Sequence, residues 1–452
     1  MTIRLIIGRA GTGKTATCLD AVREELRRQP AGPLLILLVP EQATFQTEYA
    51  LASTPGLQGF IRAQVLSFRR MAFRVLQEVG GAARAHIGDL GKRMMLRCLL
   101  EQQAAQLKVF RHAAGQPGFT ETIARTLSEL KSYCVGYEEL ADTIDLLNST
   151  GGTGQLAGEL ADISLLYNCL EEALADRFTD PDDYLNLLAD HMGHSEAMRG
   201  ATVWVDGFSG FTPQEYRVLT ALARTAAQVN ITLCSSIESL TGSPVESDPF
   251  YPIRETYERL MDMAVQEKIK VERPLILDST KQGHYSEPIA YLEKEFFNLQ
   301  ATPLAGAVEE VTLVSAANPV AEVEGVAREI TALCRDQGFY YRDIIIILRE
   351  IGAYGELIAT IFADHGIPVF IDQKRPVMYH PLVELIRSAL EVLETDWSYD
   401  PVFRFLKTDL VPVSREEVDL LENYVLAHGI RGSRWIDGIP WKYNRRMTLE
   451  DE

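Results

Sequence analysis

The feature that most constrains this chain stands at its start, where a glycine-rich stretch joins an apolar run to a helix-forming run. Residues 3–7 have strand propensity, and residues 16–26 favour a helix. Between them stand Gly8, Arg9, Ala10, Gly11, Thr12, Gly13, Lys14 and Thr15. Glycines let backbone N–H groups approach a phosphate closely, and the N-terminus of the next helix adds partial positive charge. The stretch predicts a nucleotide-binding loop in which Lys14 contacts the β- and γ-phosphates and Thr15 ligates Mg²⁺.

A phosphate loop of this kind needs a carboxylate from a second strand to hold the magnesium ion. Residues 201–205 form an alternating apolar run that ends at Asp206, which we predict to be that carboxylate. Hydrolysing enzymes commonly place a glutamate directly after this aspartate, whereas Gly207 follows here. Glu215 would be a substitute, but Thr212, three residues before it, makes a helix N-terminus the favoured interpretation. The pattern therefore supports nucleotide binding better than hydrolysis.

Length and composition exclude several other classes. The 452 residues are 46% hydrophobic and 24% charged, as expected of a folded protein with several domains. Every apolar run is interrupted before the ~18 residues that a membrane span requires, so we expect a cytoplasmic protein without a membrane segment. The 44 basic and 63 acidic residues give a net charge of −19, which argues against a uniformly basic DNA-binding surface but allows a local basic channel. Six scattered cysteines indicate neither disulfides nor a metal site.

The coarse pattern predicts an α/β fold with two P-loop-like lobes. Residues 34–40 and 229–234 are apolar runs typical of parallel strands buried on both faces. Between these runs, apolar residues recur at helical spacing, which indicates a packed helical block. A second α/β pattern follows, with strands predicted at residues 311–316, 343–349 and 368–372 and a helix at residues 321–335. Two such lobes with a helical insertion in the first suggest a motor architecture.

Motifs along the whole chain resemble the AddB family, the B subunits of AddAB helicase–nucleases. They are the 8–15 loop and the segments 39–46, 205–208, 211–215, 342–349, 367–372, 380–383, 421–425 and 429–432. The resemblance implies a heterodimer with an AddA-type helicase/nuclease subunit that processes double-strand breaks in DNA for homologous recombination and takes part in recognising the Chi sequence. It implies ATP and Mg²⁺ as cofactors, and helicase-like domains of the UvrD-like superfamily 1 type that do not themselves unwind DNA.

The resemblance also implies domain boundaries. Residues 1–85 and 196–300 would form the P-loop RecA-like lobe 1A, residues 86–195 the helical insertion 1B, and residues 306–452 an incomplete second RecA-like lobe 2A. Family members run more than twice as far and carry a C-terminal nuclease domain tied by a 4Fe-4S iron–sulfur cluster. We therefore expect this chain to be an N-terminal fragment or a truncated gene product, and we assign no nuclease residue and no cluster ligand within it.

Further binding residues follow from the resemblance. Arg349, after a predicted strand of the second lobe, matches the position where superfamily 1 helicases direct an arginine at the γ-phosphate, although a surface arginine explains it equally well. Gln42 and Phe45 lie where the family's relatives contact single-stranded DNA. The basic residues of the run 62–97 would follow a DNA backbone, or form only a solvated helix face; they are Arg62, Arg69, Arg70, Arg74, Lys92, Arg93 and Arg97.

Three functional hypotheses remain open from the sequence. The chain is an AddB-type subunit segment that binds ATP and DNA without being the unwinding motor, or it is an active superfamily 1 DNA-dependent ATPase and helicase, or it is a scaffold with a vestigial phosphate loop. Binding of Mg-ATP separates the third hypothesis from the others, and DNA-stimulated hydrolysis separates the first two.

Overall fold

A computed structural model describes residues 1–441 apart from 57–58, 81–84, 117, 150–153, 176, 244–245, 278–284, 299, 307 and 373–376. The chain divides into two compact units, Met1–Thr312 and Leu313–Glu452. Residues 442–452, which the predicted second lobe includes, lie outside the described part. Each unit is described by itself below.

A seven-stranded, all-parallel sheet organises the first unit. Its strands are β1 (Thr2–Ile7), β2 (Leu35–Leu38), β3 (Ala63–Leu66), β6 (Thr202–Val205), β7 (Gln228–Leu233), β8 (Lys270–Val271) and β9 (Leu275–Ile276). They follow the order β3-β2-β6-β7-β1-β8, and β9 also pairs with β1. Because parallel strands end at the same edge of a sheet, the loops after β1, β2, β6 and β7 meet there. The predicted strands at residues 3–7, 34–40, 201–206 and 229–234 are confirmed.

The sheet is buried on both faces, as its nearly continuous apolar strands predict. Side chains alternate along β2, so that Ile36 and Leu38 enter one core while Leu35 and Leu37 enter the other. The second of these cores is closed by Cys18 and Val22 of the first helix. The helices of the first unit are α1 (Lys14–Arg28), α2 (Thr44–Ala52), α3 (Phe68–Val79), α4 (Asp89–Gln103), α5 (Phe119–Ser132), α6 (Tyr137–Ser149), α7 (Gly154–Leu174), α8 (Tyr184–His191), α9 (Pro213–Thr225), α10 (Ile237–Thr241), α11 (Tyr251–Gln266) and α12 (Glu287–Glu295). None of the helices in the described ranges is long and apolar enough to cross a membrane.

The predicted helical insertion forms its own core but ends earlier than expected. Helices α4, α5 and α7 contribute Leu96, Leu127 and Leu166 to that core. A short parallel pair, β4 (Ala85–His86) with β5 (Phe178–Thr179), marks the base of the block. Helix α8 lies beyond this pair and packs on α3 and α9, so the residues after about 180 belong with the sheet rather than with the predicted 86–195 insertion.

The second unit differs from the prediction of an α/β lobe. It contains α13 (Pro319–Asp336), α14 (Ile351–Asp364), α15 (Pro381–Glu394), α16 (Tyr399–Leu406) and α17 (Arg415–His428). The helix predicted at residues 321–335 is confirmed as α13. The strands predicted at residues 311–316, 343–349 and 368–372 are wrong, because no residue described there lies in a strand.

The apolar alternation that suggested these strands has a physical basis nonetheless. Ile344 and Ile346 pack against α13 and α14, whereas Ile345 and Ile347 on the opposite side are 81% and 84% exposed. The segment is thus extended with one covered face. A strand also requires backbone hydrogen bonds to a neighbour, and among the described residues of this unit no ladder supplies them.

Candidate functional site

The 8–15 loop leaves the carboxyl end of β1 and wraps into the first turn of α1. Gly11 and Gly13 have φ angles of 71° and 82°, in the left-handed region that glycine adopts without strain. Thr12 is buried inside the turn, and its hydroxyl donates to the carbonyl oxygen of Arg9 at 2.9 Å. The backbone therefore folds as the glycine spacing predicted.

The backbone N–H groups at the start of α1 are not capped by a described side chain. Gly13 is the N-cap residue, no described side chain caps the helix, and no acidic residue stands in the first turn. Unpaired N–H groups and the helix dipole together favour an anion at such a terminus. The ammonium of Lys14 lies at this loop and donates to the carbonyl oxygens of Gly8 and Arg9 at 2.8 and 2.7 Å.

Asp206 meets the loop as the sequence predicted. Its Oδ2 accepts a hydrogen bond of 2.7 Å from the hydroxyl of Thr15, although the two residues are 191 positions apart. Its Oδ1 accepts a second bond of 2.8 Å from Thr232, near the end of β7 and next to β6. The carboxylate is 5% exposed, so both bonds fix it in a largely buried position. A hydroxyl and a carboxylate at this distance are the oxygen ligands that Mg²⁺ prefers, with water completing its shell.

Thr232 is a site residue that the sequence analysis missed. We expect Thr232→Val to lower the free energy of unfolding by roughly 1.5 kcal/mol, because it leaves a buried carboxylate oxygen without its donor. Urea unfolding measures the difference. Thr225→Val is the matched control, since the Thr225 hydroxyl only donates to Ala221 within α9. An equal loss in both variants would contradict a special role for the bond to Asp206.

The structure explains why glycine follows Asp206. Gly207 has a φ of 83°, and a Cβ atom there would lie 3.3 Å from Cδ of Pro40. A glutamate at this position would be strained and crowded. Glu215 does not replace it, because it forms a capping box with Thr212 at the start of α9. The favoured interpretation of Glu215 as a helix-capping residue is confirmed; burial raises the pKa of its carboxyl group.

A groove of about 730 Å³ opens beside the carboxyl ends of β2, β3 and β6. The rings of Phe68 and Phe208 line it in an edge-to-face arrangement with centroids 5.4 Å apart. Arg69 and Arg70 supply positive charge, and Arg70 lies 3.3 Å from the carboxylate of Glu41. Four acidic residues share the lining: Glu41, Asp89, Asp182 and Glu215. Aromatic faces next to guanidinium groups are the combination that binds nucleobases and phosphates of single strands.

The predicted DNA-contacting residues lie beside this groove, at the turn after β2. Gln42 is exposed in the short 3₁₀ turn Glu41–Ala43, and Phe45 in the first turn of α2 is 75% exposed. The ring of Phe45 stacks on Tyr49 one turn later, with centroids 6.3 Å apart. An exposed aromatic pair of this kind is available for contact with a base.

The predicted basic run does not form a continuous surface. Arg62 is buried and donates to the carbonyl oxygens of Pro33 and Gln29. Lys92 is buried against Asp180. These two residues cannot follow a DNA backbone, and of the run only Arg69 and Arg70 line the aromatic groove.

A network of buried charges ties the helical block together. The ammonium of Lys131 lies 2.6, 2.9 and 2.8 Å from carboxylate oxygens of Glu171, Asp180 and Asp183. These carboxylates form the group of described residues with the spacing of a metal site, but the lysine already provides the cation among them. Burial alone would raise the pKa of Asp180, yet Lys131 and Lys92 outweigh it and hold that pKa below its usual value.

Arg349 belongs to the second unit, where its side chain is exposed. Its assignment to the γ-phosphate stays a prediction. Among the residues that sequence reasoning missed, Phe208 had a weak signal, since it follows the strand predicted at residues 201–206. Phe68 had none, because strand β3 before it was not predicted. Thr232 had none, because a polar residue inside a buried strand becomes informative only when its neighbour is known.

Comparison with known proteins identifies the family. A family model described as ADDB, N-terminal, matches residues 5–293, which include the 8–15 loop, Asp206 and the aromatic groove. The chain belongs to the AddB family. Two relatives are the B subunits of the ATP-dependent helicase/deoxyribonuclease from Pelotomaculum thermopropionicum, 65% identical over 452 residues, and from Desulforudis audaxviator, 54% identical over 450 residues. This AddB-family chain is matched over 100% and 99% of its length, and spans 39% and 38% of those two relatives.

Proposed function

We propose that this chain is a segment of an AddB-type subunit that binds Mg-ATP and single-stranded DNA without being the unwinding motor. Its first unit would be a P-loop lobe of the superfamily 1 helicase type. One observation carries the proposal. The Thr15 hydroxyl and the Asp206 carboxylate, from different strand ends, meet at 2.7 Å beside a left-handed glycine loop.

Each residue of the loop would have a distinct role. The backbone N–H groups of Gly11, Thr12, Gly13, Lys14 and Thr15 would surround the β-phosphate, as would the start of α1. Lys14 would neutralise the β- and γ-phosphates, and Gly8, Arg9 and Ala10 would shape the turn. Thr15 and Asp206 would hold Mg²⁺, directly or through water, where their mutual hydrogen bond now lies. Arg349 would contact the γ-phosphate, as the family resemblance implies.

Binding without efficient hydrolysis fits the surroundings of Asp206. Gly207 has the backbone conformation that disfavours a catalytic glutamate, and Glu215 is used by the cap of α9. Neither of these two positions therefore supplies a base to orient an attacking water. Nucleotide would act as a bound structural ligand of the lobe.

Single-stranded DNA would lie across the aromatic groove and the turn after β2. Phe45 and Phe208 would stack with bases, and the buried ring of Phe68 would support Phe208 from the core. Gln42 would make polar contacts, and Arg70 would contact phosphate. In a protein of net charge −19, Arg69 and Arg70 would be the groups of this groove that attract the DNA backbone. We infer that the same groove takes part in reading the Chi sequence.

The names of the relatives describe one component of an ATP-dependent helicase/deoxyribonuclease. We propose that this chain likewise assembles with an AddA-type helicase/nuclease subunit in the cytoplasm to process DNA double-strand breaks for homologous recombination. No nuclease residue and no iron–sulfur ligand is assigned within residues 1–452.

Calorimetry and a hydrolysis assay on the 452-residue chain test the nucleotide part of this proposal. We expect Mg-ATP to bind, and to bind more weakly when EDTA removes the magnesium, because Asp206 would then face the phosphates without a cation. Phosphate release should stay slow when a dT oligonucleotide is added. Brisk DNA-stimulated hydrolysis would instead identify an active motor, and absence of Mg-ATP binding would indicate a vestigial loop.

The DNA-binding part is tested by Phe45→Ala. We expect this variant to weaken binding of a fluorescein-labelled dT oligonucleotide by about tenfold, since stacking on one aromatic ring contributes roughly 1–3 kcal/mol. Fluorescence anisotropy measures the affinity. Phe297→Ala, at a phenylalanine that is 68% exposed and does not line the groove, is the control. Equal affinities of the two variants for the oligonucleotide would show that Phe45 does not contact the DNA.

A further inference from the structure

The segment 285–295, which we call the strap, lies against the phosphate loop at two points. The first is Arg9. Its Nε bonds to the carboxylate of Glu293 at 2.8 Å, and its Nη2 donates to the backbone oxygen of Glu293 at 2.6 Å. Both partners lie in the last turn of α12, whose carbonyl end favours a cation. The guanidinium also stacks over the ring of Phe250, 5.1 Å from its centroid.

The second point is Tyr285, two residues before the start of α12. A Cβ atom on Gly11 would overlap two ring carbons and the hydroxyl oxygen of Tyr285. The ring therefore packs directly on the backbone of Gly11, an approach that only glycine permits. Gly11 is a central residue of the loop whose N–H groups would face a phosphate.

The ammonium of Lys14 in the 8–15 loop finds its hydrogen-bond acceptors within the loop itself. Lys14 donates to Gly8 and Arg9, so two of the three ammonium protons are already used within the loop. Arg9 accepts at its carbonyl oxygen from Lys14 while its guanidinium is held by Glu293. The contact between Arg9 and Glu293 and the hydrogen bonds of Lys14 within the loop thus stabilise the same conformation, which we call closed.

We propose that the 285–295 strap is a gate, which holds the phosphate loop closed and must open before Mg-ATP binds. This inference rests on the proposed nucleotide function. If only a fraction of molecules has an open strap, the apparent association rate and affinity are reduced to that fraction of their values for the open state. Substitutions that weaken the two contacts should therefore make nucleotide bind faster and more tightly.

Stopped-flow binding of N-methylanthraniloyl-ATP with Mg²⁺ tests the gate in the 452-residue chain. We expect Glu293→Gln and Tyr285→Ala each to raise the association rate constant by about three- to fivefold, with little change in dissociation, as for the loss of one partly exposed contact. Glu287→Gln is the matched control, because that carboxylate is exposed in the first turn of α12, at the opposite end of the helix from Glu293. Hydrogen–deuterium exchange without nucleotide should show faster exchange of the loop amides in the first two variants only.

The outcomes separate the gate from the nucleotide site itself. If wild type binds and the two variants associate no faster, or bind more weakly because Tyr285 supports the base, the gate is wrong while the nucleotide site stands. If the variants bind and wild type does not, the gate is supported strongly. If none of them binds Mg-ATP, the proposed nucleotide function fails, and the gate fails with it; unchanged loop exchange would overturn the strap contact by itself.

Discussion

Replacing Lys131 by methionine is expected to destabilise the helical block of the first unit by about 3 kcal/mol. The ammonium is almost fully buried and bonds to Glu171, Asp180 and Asp183. Its removal takes one of two cations from the buried carboxylate of Asp180, whereas the side chains of Glu171 and Asp183 are 37% and 33% exposed. Breaking a buried ion pair by deleting one partner typically costs about 3–5 kcal/mol. Lys92 still pairs with Asp180, so the lower end of that range applies.

The loss of stability in Lys131→Met should depend on pH. In wild type, Lys131 and Lys92 hold the pKa of Asp180 below its ordinary value despite burial. A lowered folded-state pKa contributes stability that is present above the unfolded value of about 3.9 and is lost as the pH falls through the folded value. Without Lys131 the pKa of Asp180 is lowered less, so this contribution to stability is smaller. The difference between wild type and Lys131→Met should therefore be largest near pH 7 and narrow below about pH 4.

Native-state hydrogen exchange of amides in α5 and α7 measures this difference within the block. Lys294→Met is the control, because the Lys294 ammonium is exposed and pairs only with the neighbouring Glu295 among the described residues. Equal protection of α5 and α7 in wild type and Lys131→Met at pH 7 would show that the network contributes nothing to stability.

Lys14→Ala is expected to weaken Mg-ATP binding by on the order of 100-fold. The substitution removes the one ammonium at the loop and with it charge-assisted hydrogen bonds to phosphate, which are the stronger class of hydrogen bond. Loss of a partner from such a charged contact costs roughly 2–5 kcal/mol. Isothermal calorimetry with wild type and variant measures the change.

Two controls make the Lys14 result interpretable. Thermal unfolding establishes that the variant is folded, since Lys14 also bonds to Gly8 and Arg9. Lys270→Ala changes a lysine of β8 that is exposed and does not contact the loop. Unchanged affinity in Lys14→Ala would mean that nucleotide, if bound, lies elsewhere, and the proposed function of the loop would be abandoned.

Local sequence determined the elements whose signals are short-range. The glycine spacing at residues 8–15 and the apolar runs of β1, β2, β6 and β7 specify backbone conformation and burial directly. Asp206 was predictable because it ends a buried strand, and the cap of α9 because Thr212 and Glu215 have the spacing of a capping box. The strands predicted in the second unit were wrong for a physical reason. Apolar alternation indicates a segment with one covered face, but it does not show that a neighbouring strand is present to accept and donate backbone hydrogen bonds.

Only the tertiary structure decided which distant groups meet. Thr232 bonds to Asp206 because β7 neighbours β6 in the sheet order, and Tyr285 packs on Gly11 across 274 residues of sequence. Lys92 and Arg62, which the sequence presented as surface charges, became buried ion-pair and hydrogen-bonding partners. The sequence by itself determined a phosphate loop with its carboxylate and the AddB resemblance. The fold decided that the 285–295 strap lies against this loop, because long-range contacts depend on strand order and packing rather than on local pattern.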